Sequence, residues 1–253
     1  MSIIYLIPCT LADDALQTIP AYVLDAVKQC SVIFAENERT ACRFLKSMDK
    51  NIVIDHYEWF TIHKAEEEQI QQFKQKIKEQ KNIAIISEAG CPGIADPGQV
   101  LIGVAQQLHC IVKPFVGPSS ILLALMASGM NGQQFEFVGY LPIDNLERSK
   151  KIKELETASQ KNNSTKIFIE TPYRNNQLLE ALTKSCSNLT KLCIGVNITS
   201  ATELIQTCTI AEWKNKKPEQ FAATASPCLN PAVLFRVAVL NCLLWSFAHL
   251  HSN

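Results

Sequence analysis

The chain has 253 residues, 47% of them hydrophobic and 19% charged, which gives it enough apolar surface to form a core and excludes a disordered, collagenous or coiled-coil protein. At roughly 150 residues per domain, the length fits one large domain or two modest ones. Lysine plus arginine number 24, as do aspartate plus glutamate, so no whole-molecule field holds a polyanion and any nucleic-acid contact must come from a local patch.

Residues 3–7 (IIYLI) are a continuous apolar run stopped by Pro8, the pattern of a strand buried on both faces of a parallel sheet. The first residues lack the basic, apolar and small-residue order of an export signal, so a cytoplasmic protein is expected. In 20–30, Tyr22, Val23, Ala26 and Val27 share a helical face. Residues 32–35 read as a second strand, 37–45 as the start of a helix, and 52–54 (IVI) as a third strand. Residues 65–80 predict an exposed helix with Ile70, Phe73 and Ile77 on its inner stripe. After the buried strand 83–86 (IAII) come a helix over 99–107 and a strand at 111–112. The proline and glycine density of 113–120 (KPFVGPSS) marks a linker. The boundary is placed there, with domains at 1–114 and 115–219.

Beyond the linker the pattern predicts a helix over 121–128, a strand at 135–138, a basic amphipathic helix over 148–158 and a strand at 166–169. A helix over 175–183, strands at 192–196 and 203–209, and a short helix from 210 follow. Residues 220–253 form an atypical apolar tail with no assigned structure. Within it, 232–248 just reaches the length of a membrane span, but Arg236 and Asn241 interrupt it, so no membrane partner is expected. His249 and His251 are a close pair without further ligands nearby, and no metal is expected. Ten cysteines form no C-x-x-C and mostly lie in apolar runs, as buried thiols in a reducing compartment do.

Strands alternating with helices predict an α/β protein of two α/β domains, in which ligands settle outside the carboxyl ends of the strands. Four loops at such ends stand out. SEAGCPGIADPG (87–98) brings three glycines, two prolines, Glu88 and Asp96 directly after a buried strand, where backbone can approach a ligand closely; a tight strand-to-helix turn is the plain alternative. It is neither a G-x-G-x-x-G fingerprint nor a P-loop, so phosphate cradling is not its purpose. VGPSS (116–120) offers Ser119 and Ser120 as helix caps or ligand contacts. AENERT (35–40) places Glu36 and Arg39 at a strand end, as an ion pair at a helix start or as site residues. ETPYR (170–174) repeats the carboxylate, aromatic and arginine combination with Glu170 and Arg174.

Together AENERT, SEAGCPGIADPG, FVGPSSILLALMASGM, FVGYLP and IFIETPYR resemble the tetrapyrrole-methylase superfamily, and within it the ribosomal RNA small subunit methyltransferase I group, which 2′-O-methylates a cytidine of 16S rRNA. The resemblance spans roughly residues 3–217. It implies a homodimeric, two-domain methyltransferase holding S-adenosylmethionine in the cleft between its domains, with small-subunit ribosomal RNA as partner. Carried over position by position, it implies cofactor contacts from Pro8, Leu11, Gly90, Cys91, Ile94, Ala95, Ser119 and Ser120. Glu36, Arg39, Glu88, Asp96, Glu170 and Arg174 match motif positions near the acceptor. The sequence departs from the family pattern in lacking Gly-Asn after the first strand and in carrying Glu88 where the family has aspartate.

A ribose hydroxyl becomes a good nucleophile only when a base takes its proton, and Glu36, Glu88 and Glu170 are the candidates, with Glu88 and Glu36 first. Arg39 and Arg174 suit nucleotide phosphates. Arg148, Lys150, Lys151 and Lys153 form a basic helix face for RNA, or simply a solvated one. The same fold acting on a corrin, a porphyrin or another small acceptor, and a cofactor-binding regulator without catalysis, are the two other readings.

Overall fold

A computed structural model describes residues 2–62, 67–216 and 236–241. The chain divides into two compact units, one built from Met1–Ser119 with Thr199–Ala201 and the other from the remaining described residues.

The first unit is a parallel sheet flanked by helices. Its strands β1 (Ile3–Ile7), β2 (Val32–Ala35), β3 (Glu58–Thr61), β4 (Ile83–Ile86) and β5 (Ile111–Pro114) run in the order β3-β2-β4-β1-β5, every pairing parallel. All residues of β2 and β4 are buried, as continuous apolar runs in central parallel strands should be. Alternate side chains feed two cores, because successive residues of a strand point to opposite faces. Ile7, Ile33, Ala35, Ala84 and Ile86 pack with Val23 and Val27 of α1 (Tyr22–Val27) and Leu45 of α2 (Glu38–Met48). On the other face Ile4, Phe34, Ile83 and Ile85 meet Phe73 of α3 (Glu67–Lys78) and Leu101 and Ala105 of α4 (Gln99–Gln107).

The third strand is not at 52–54. Ile54–His56 is a single 3-10 turn, and the pairing shifts to Glu58–Thr61, where Phe60 stacks on Phe34 at 4.8 Å and Trp59 donates its indole N–H to the Ile54 carbonyl at 3.2 Å. Two aromatic side chains on a sheet edge outweigh a short aliphatic run.

The second unit holds α5 (Ser120–Ser128), β6 (Phe135–Tyr140), α6 (Asn145–Asn162), β7 (Thr165–Glu170), α7 (Asn175–Ser185), β8 (Lys191–Val196), β9 (Leu204–Thr209), α8 (Ile210–Lys214) and β10 (Arg236–Asn241). Its sheet runs β6-β7-β10-β8-β9, with β6 and β7 parallel and the other pairs antiparallel. The sequence assigns no structure to the apolar tail, and part of it joins this sheet. Residues Arg236–Asn241 form the central strand, paired with β7 on one side and β8 on the other. The rest of the apolar stretch 232–248, together with His249 and His251, lies outside the described residues. No described helix is long and apolar enough to cross a membrane.

Candidate active site

Neighbouring strands β2, β4 and β1 send their carboxyl-terminal loops to one end of the first unit's sheet. The loop after β4 is tied to the loop after β1. Cys9 N–H donates to the Gly90 carbonyl at 2.8 Å, Gly90 N–H returns the bond to the Cys9 carbonyl at 3.1 Å, and the buried Ser87 hydroxyl donates to the Gly90 carbonyl at 3.1 Å. Gly90 takes φ +73°, and a Cβ there would meet the Leu11 side chain at 3.3 Å and the Pro118 carbonyl at 3.4 Å. Cys91 Sγ lies 3.5 Å and 3.8 Å from the carbonyls of Pro118 and Gly117. Pro8, Leu11, Gly90 and Cys91 are thus brought together with the 116–118 segment, while Ser119 closes this unit and Ser120 opens α5, both half-buried.

Beyond this knot the loop lifts Ile94 and Ala95 into solvent. Ala95 takes φ 57°, a left-handed conformation that costs a residue with a Cβ about 1–2 kcal/mol and that collects at ligand sites.

Beside the loop three carboxyl groups meet. Glu36 Oε2 accepts from Glu88 N–H at 3.2 Å, and the Glu36 and Asp96 carboxyls hydrogen-bond each other. Asp96 Oδ1 accepts from Gly98 N–H at 2.7 Å, and Gly93 donates a second backbone N–H to Asp96. Burial is the chief cause that pushes Glu36 up to about 7, with the Asp96 charge next. Burial also raises Asp96, against the opposing pull of its two backbone donors. Behind them the Cys9 thiol is driven well above its usual range, first by burial and then by the three carboxylates. Glu88 Oε1 accepts from Asn37 Nδ2 and Thr40 Oγ1, each at 3.4 Å, and Asn37 also caps α2 by accepting from Thr40 N–H. Arg39 stands exposed in the first turn of α2. Among the described ion pairs there is none between it and Glu36, whose carboxyl turns to Asp96 instead.

The second unit carries Glu170 and Arg174. Arg174 Nη2 meets Glu170 Oε1 at 2.6 Å, and Thr171 N–H donates to the same oxygen at 2.7 Å. Glu170 Oε2 and Arg174 Nη1 are buried without a hydrogen-bond partner.

The basic helix face needs correction at Arg148. That residue is 3% exposed and sits on the buried stripe of α6 with Ile152, Leu155 and Ser159. Its guanidinium donates to the Ile143 carbonyl at 3.2 Å and to the Asn145 side chain. It anchors the loop before α6. Lys150 and Lys153 are exposed, and Lys151 is half-buried with Glu154 at 3.9 Å. Among the described residues no group of three His, Cys, Asp or Glu side chains is placed to hold a metal ion.

Reading loops one at a time singles out Glu36 and Asp96 but not their contact, which joins chain segments far apart in sequence. The Asp-Pro-Gly triplet is the local signal for the Asp96 end of it, because an aspartate oxygen readily accepts from the backbone two residues on.

Two α/β units with strand-end loops gathered this way have the architecture of solved methyltransferases. The structure titled "Crystal structure of the methyltransferase CobJ" matches with TM-score 0.57 and 13% identity, covering 95% of this chain and 93% of that one. Uroporphyrin-III-C-methyltransferase from Thermus thermophilus matches with TM-score 0.54 and 13% identity, covering 95% and 92%. A family model described as Tetrapyrrole (Corrin/Porphyrin) Methylases matches residues 13–214, and the chain belongs to that family. Among curated relatives, ribosomal RNA small subunit methyltransferase I of Vibrio cholerae is 28% identical over 211 residues, 83% of this chain and 69% of that protein. The protein of the same name from Bacillus subtilis is 32% identical over 183 residues, 72% and 59%. The match therefore spans between about three fifths and seven tenths of these relatives' own length.

Proposed function

We propose that this chain takes the methyl group of S-adenosylmethionine and places it on a ribose 2′-hydroxyl of small-subunit ribosomal RNA, working in the cytoplasm as a homodimer. Methyl transfer is the chemistry of its family, and the names of the relatives supply the acceptor class. The observation that carries the reading is the Glu36 carboxyl, held near neutrality beside a glycine-rich loop at the ends of parallel strands.

The residues present fit the cofactor. Exposed Ile94 and strained Ala95 give the loop an apolar tip, and the neighbouring carboxyl groups give the negative charge that suits a sulfonium. Gly90, Cys91, Pro8 and Leu11 would hold the loop's backbone toward it, with Ser119 and Ser120 as further contacts. When bound, S-adenosylmethionine supplies a methyl group already activated on sulfur. The protein's share is then to align the acceptor and remove one proton, and alignment carries most of the acceleration.

Glu36 is the residue best suited to take that proton, because a base works best when its pKa lies near the working pH. Glu88 accepts from Asn37 and Thr40 through Oε1, and Glu170 holds Arg174 and Thr171 through Oε1; in this reading the two act as supports. Arg39, Arg174, Lys150, Lys151 and Lys153 are the candidates for RNA phosphates. For the second copy, α5 offers an apolar face in Leu122 and Met126, which are 48% and 77% exposed.

The test is label transfer from S-adenosylmethionine to isolated small ribosomal subunits lacking the modification. The expected result is label in RNA that falls at least about a hundredfold in Glu36→Gln at saturating S-adenosylmethionine. Cofactor binding with no label in any RNA species would remove the proposal.

A further inference from the structure

Asp96 is the one carboxylate of this loop fixed from both sides. Two backbone N–H groups, from Gly98 at 2.7 Å and from Gly93, point into it, and Pro97 stiffens the turn between the aspartate and Gly98. Donors on that side favour the charged form of Asp96. Glu36 is held differently. Its Oε2 accepts from the Glu88 N–H, and its contact with the Asp96 carboxyl needs one proton between two oxygens.

We infer that Asp96 is a positioning residue for methyl transfer: it stands as a fixed anion against Glu36, so that a proton taken from the acceptor hydroxyl enters a hydrogen bond already aimed and waiting. The balance of the step is simple. The acceptor O–H bond breaks, a new O–H bond forms at Glu36, and the freed oxygen pair makes the bond to the methyl carbon while the carbon–sulfur bond breaks onto sulfur. No other oxidant, reductant or co-reactant is needed.

The groups that face Glu36 are few. From the loop after β4 they are Asp96 and Glu88, from the end of β1 the buried Cys9 thiol, and from α2 the uncharged Asn37 and Thr40 that hold Glu88, with Arg39 turned to solvent. Of these, only Asp96 both carries a charge and shares a hydrogen with the Glu36 carboxyl. Replacing it by asparagine keeps an oxygen for Gly98 N–H while removing the charge.

This inference rests on the reading of Glu36 as proton acceptor, and the experiment separates the two. The dependence of kcat on pH is measured for the wild type, Asp96→Asn and Glu36→Gln, each saturated with S-adenosylmethionine. In Asp96→Asn the acid limb is expected to move down by about one pH unit or more, with the plateau lowered roughly tenfold by the weaker base; saturation with S-adenosylmethionine keeps any change in its affinity out of the reading. A merely structural role would lower the whole profile without moving the limb. An unmoved limb in Asp96→Asn overturns the role of Asp96. Full activity in Glu36→Gln overturns the reading beneath it. Should Asp96→Asn fail to fold, carboxyl-carbon NMR on the wild type decides: one titration near neutrality felt at both side chains supports the pair, and two independent titrations in the ordinary carboxylate range refute it.

Discussion

Gly117 and Pro8 stand so close that a Cβ on the glycine would lie 2.1 Å from the proline's Cβ and 2.6 Å from its Cγ. The ring cannot yield as a flexible side chain would, so the contact presses the 116–118 segment against the first strand's loop and sets the floor on which Gly90 and Cys91 rest. Gly117→Ala is expected to cost about 1–3 kcal/mol by overpacking and to weaken S-adenosylmethionine binding. Gly103, inside α4, has nothing within 4 Å of where its Cβ would stand. Gly103→Ala should stabilise by about 0.5–1 kcal/mol and leave binding alone. Thermal melts and calorimetry on the two variants check both.

Arg148 and Lys151 lie on one helix but face different surroundings. Arg148→Ala removes the buried guanidinium that bonds Ile143 and Asn145 and should cost on the order of 2 kcal/mol. Lys151→Ala should change stability by no more than about 0.5 kcal/mol while lowering the salt slope of RNA binding by about one. Denaturant titration together with binding at several salt concentrations measures the pair of effects.

Glu36 makes stability depend on pH with a defined sign. Its folded-state carboxyl is raised to about 7 from the ordinary 4.5, so over that window the native state holds a proton that the unfolded chain has released. Stability contributed by this group is full below the unfolded value and is lost as pH rises toward 7, at about 1.4 kcal/mol for each tenfold change in proton affinity. Glu36→Gln should flatten this decline and melt higher than the wild type at pH 8. Equal melting temperatures at pH 5 and pH 8 in both proteins would contradict it.

The strand β10 is flanked on both sides, Val239 pairing with Ile167 and with Cys193. A proline there removes a ladder donor in the middle of a sheet, and Val239→Pro is expected to cost about 3 kcal/mol or more. An unchanged melt would mean that this strand does not support the second unit.

Much of the first unit is readable from the chain alone because its central strands are short apolar runs, Ile3–Ile7, Val32–Ala35 and Ile83–Ile86, and a strand buried on both faces needs no other signature. The edge strand Glu58–Thr61 is harder to see, since half-buried aromatic residues there compete with an aliphatic run just upstream. In the second unit β10 escapes local reading because its partners, β7 and β8, precede it by a long stretch of chain. Arg148 did leave a trace: it falls on the helical stripe of Ile152 and Leu155, but its charge draws attention before its spacing does. The site shows the same division. Glycine, proline and carboxylate residues are visible loop by loop, whereas the Glu36–Asp96 contact depends on how β2 and β4 are paired.

Nucleoside mass spectrometry of small-subunit RNA, taken before and after incubation with this protein and S-adenosylmethionine, tests the central claim most directly. The account predicts one new nucleoside heavier by a single methyl on the ribose, formed by the wild type and at least about a hundredfold less by Glu36→Gln. A methyl group found on a base, or no methylated nucleoside while a small-molecule acceptor is consumed, would contradict it.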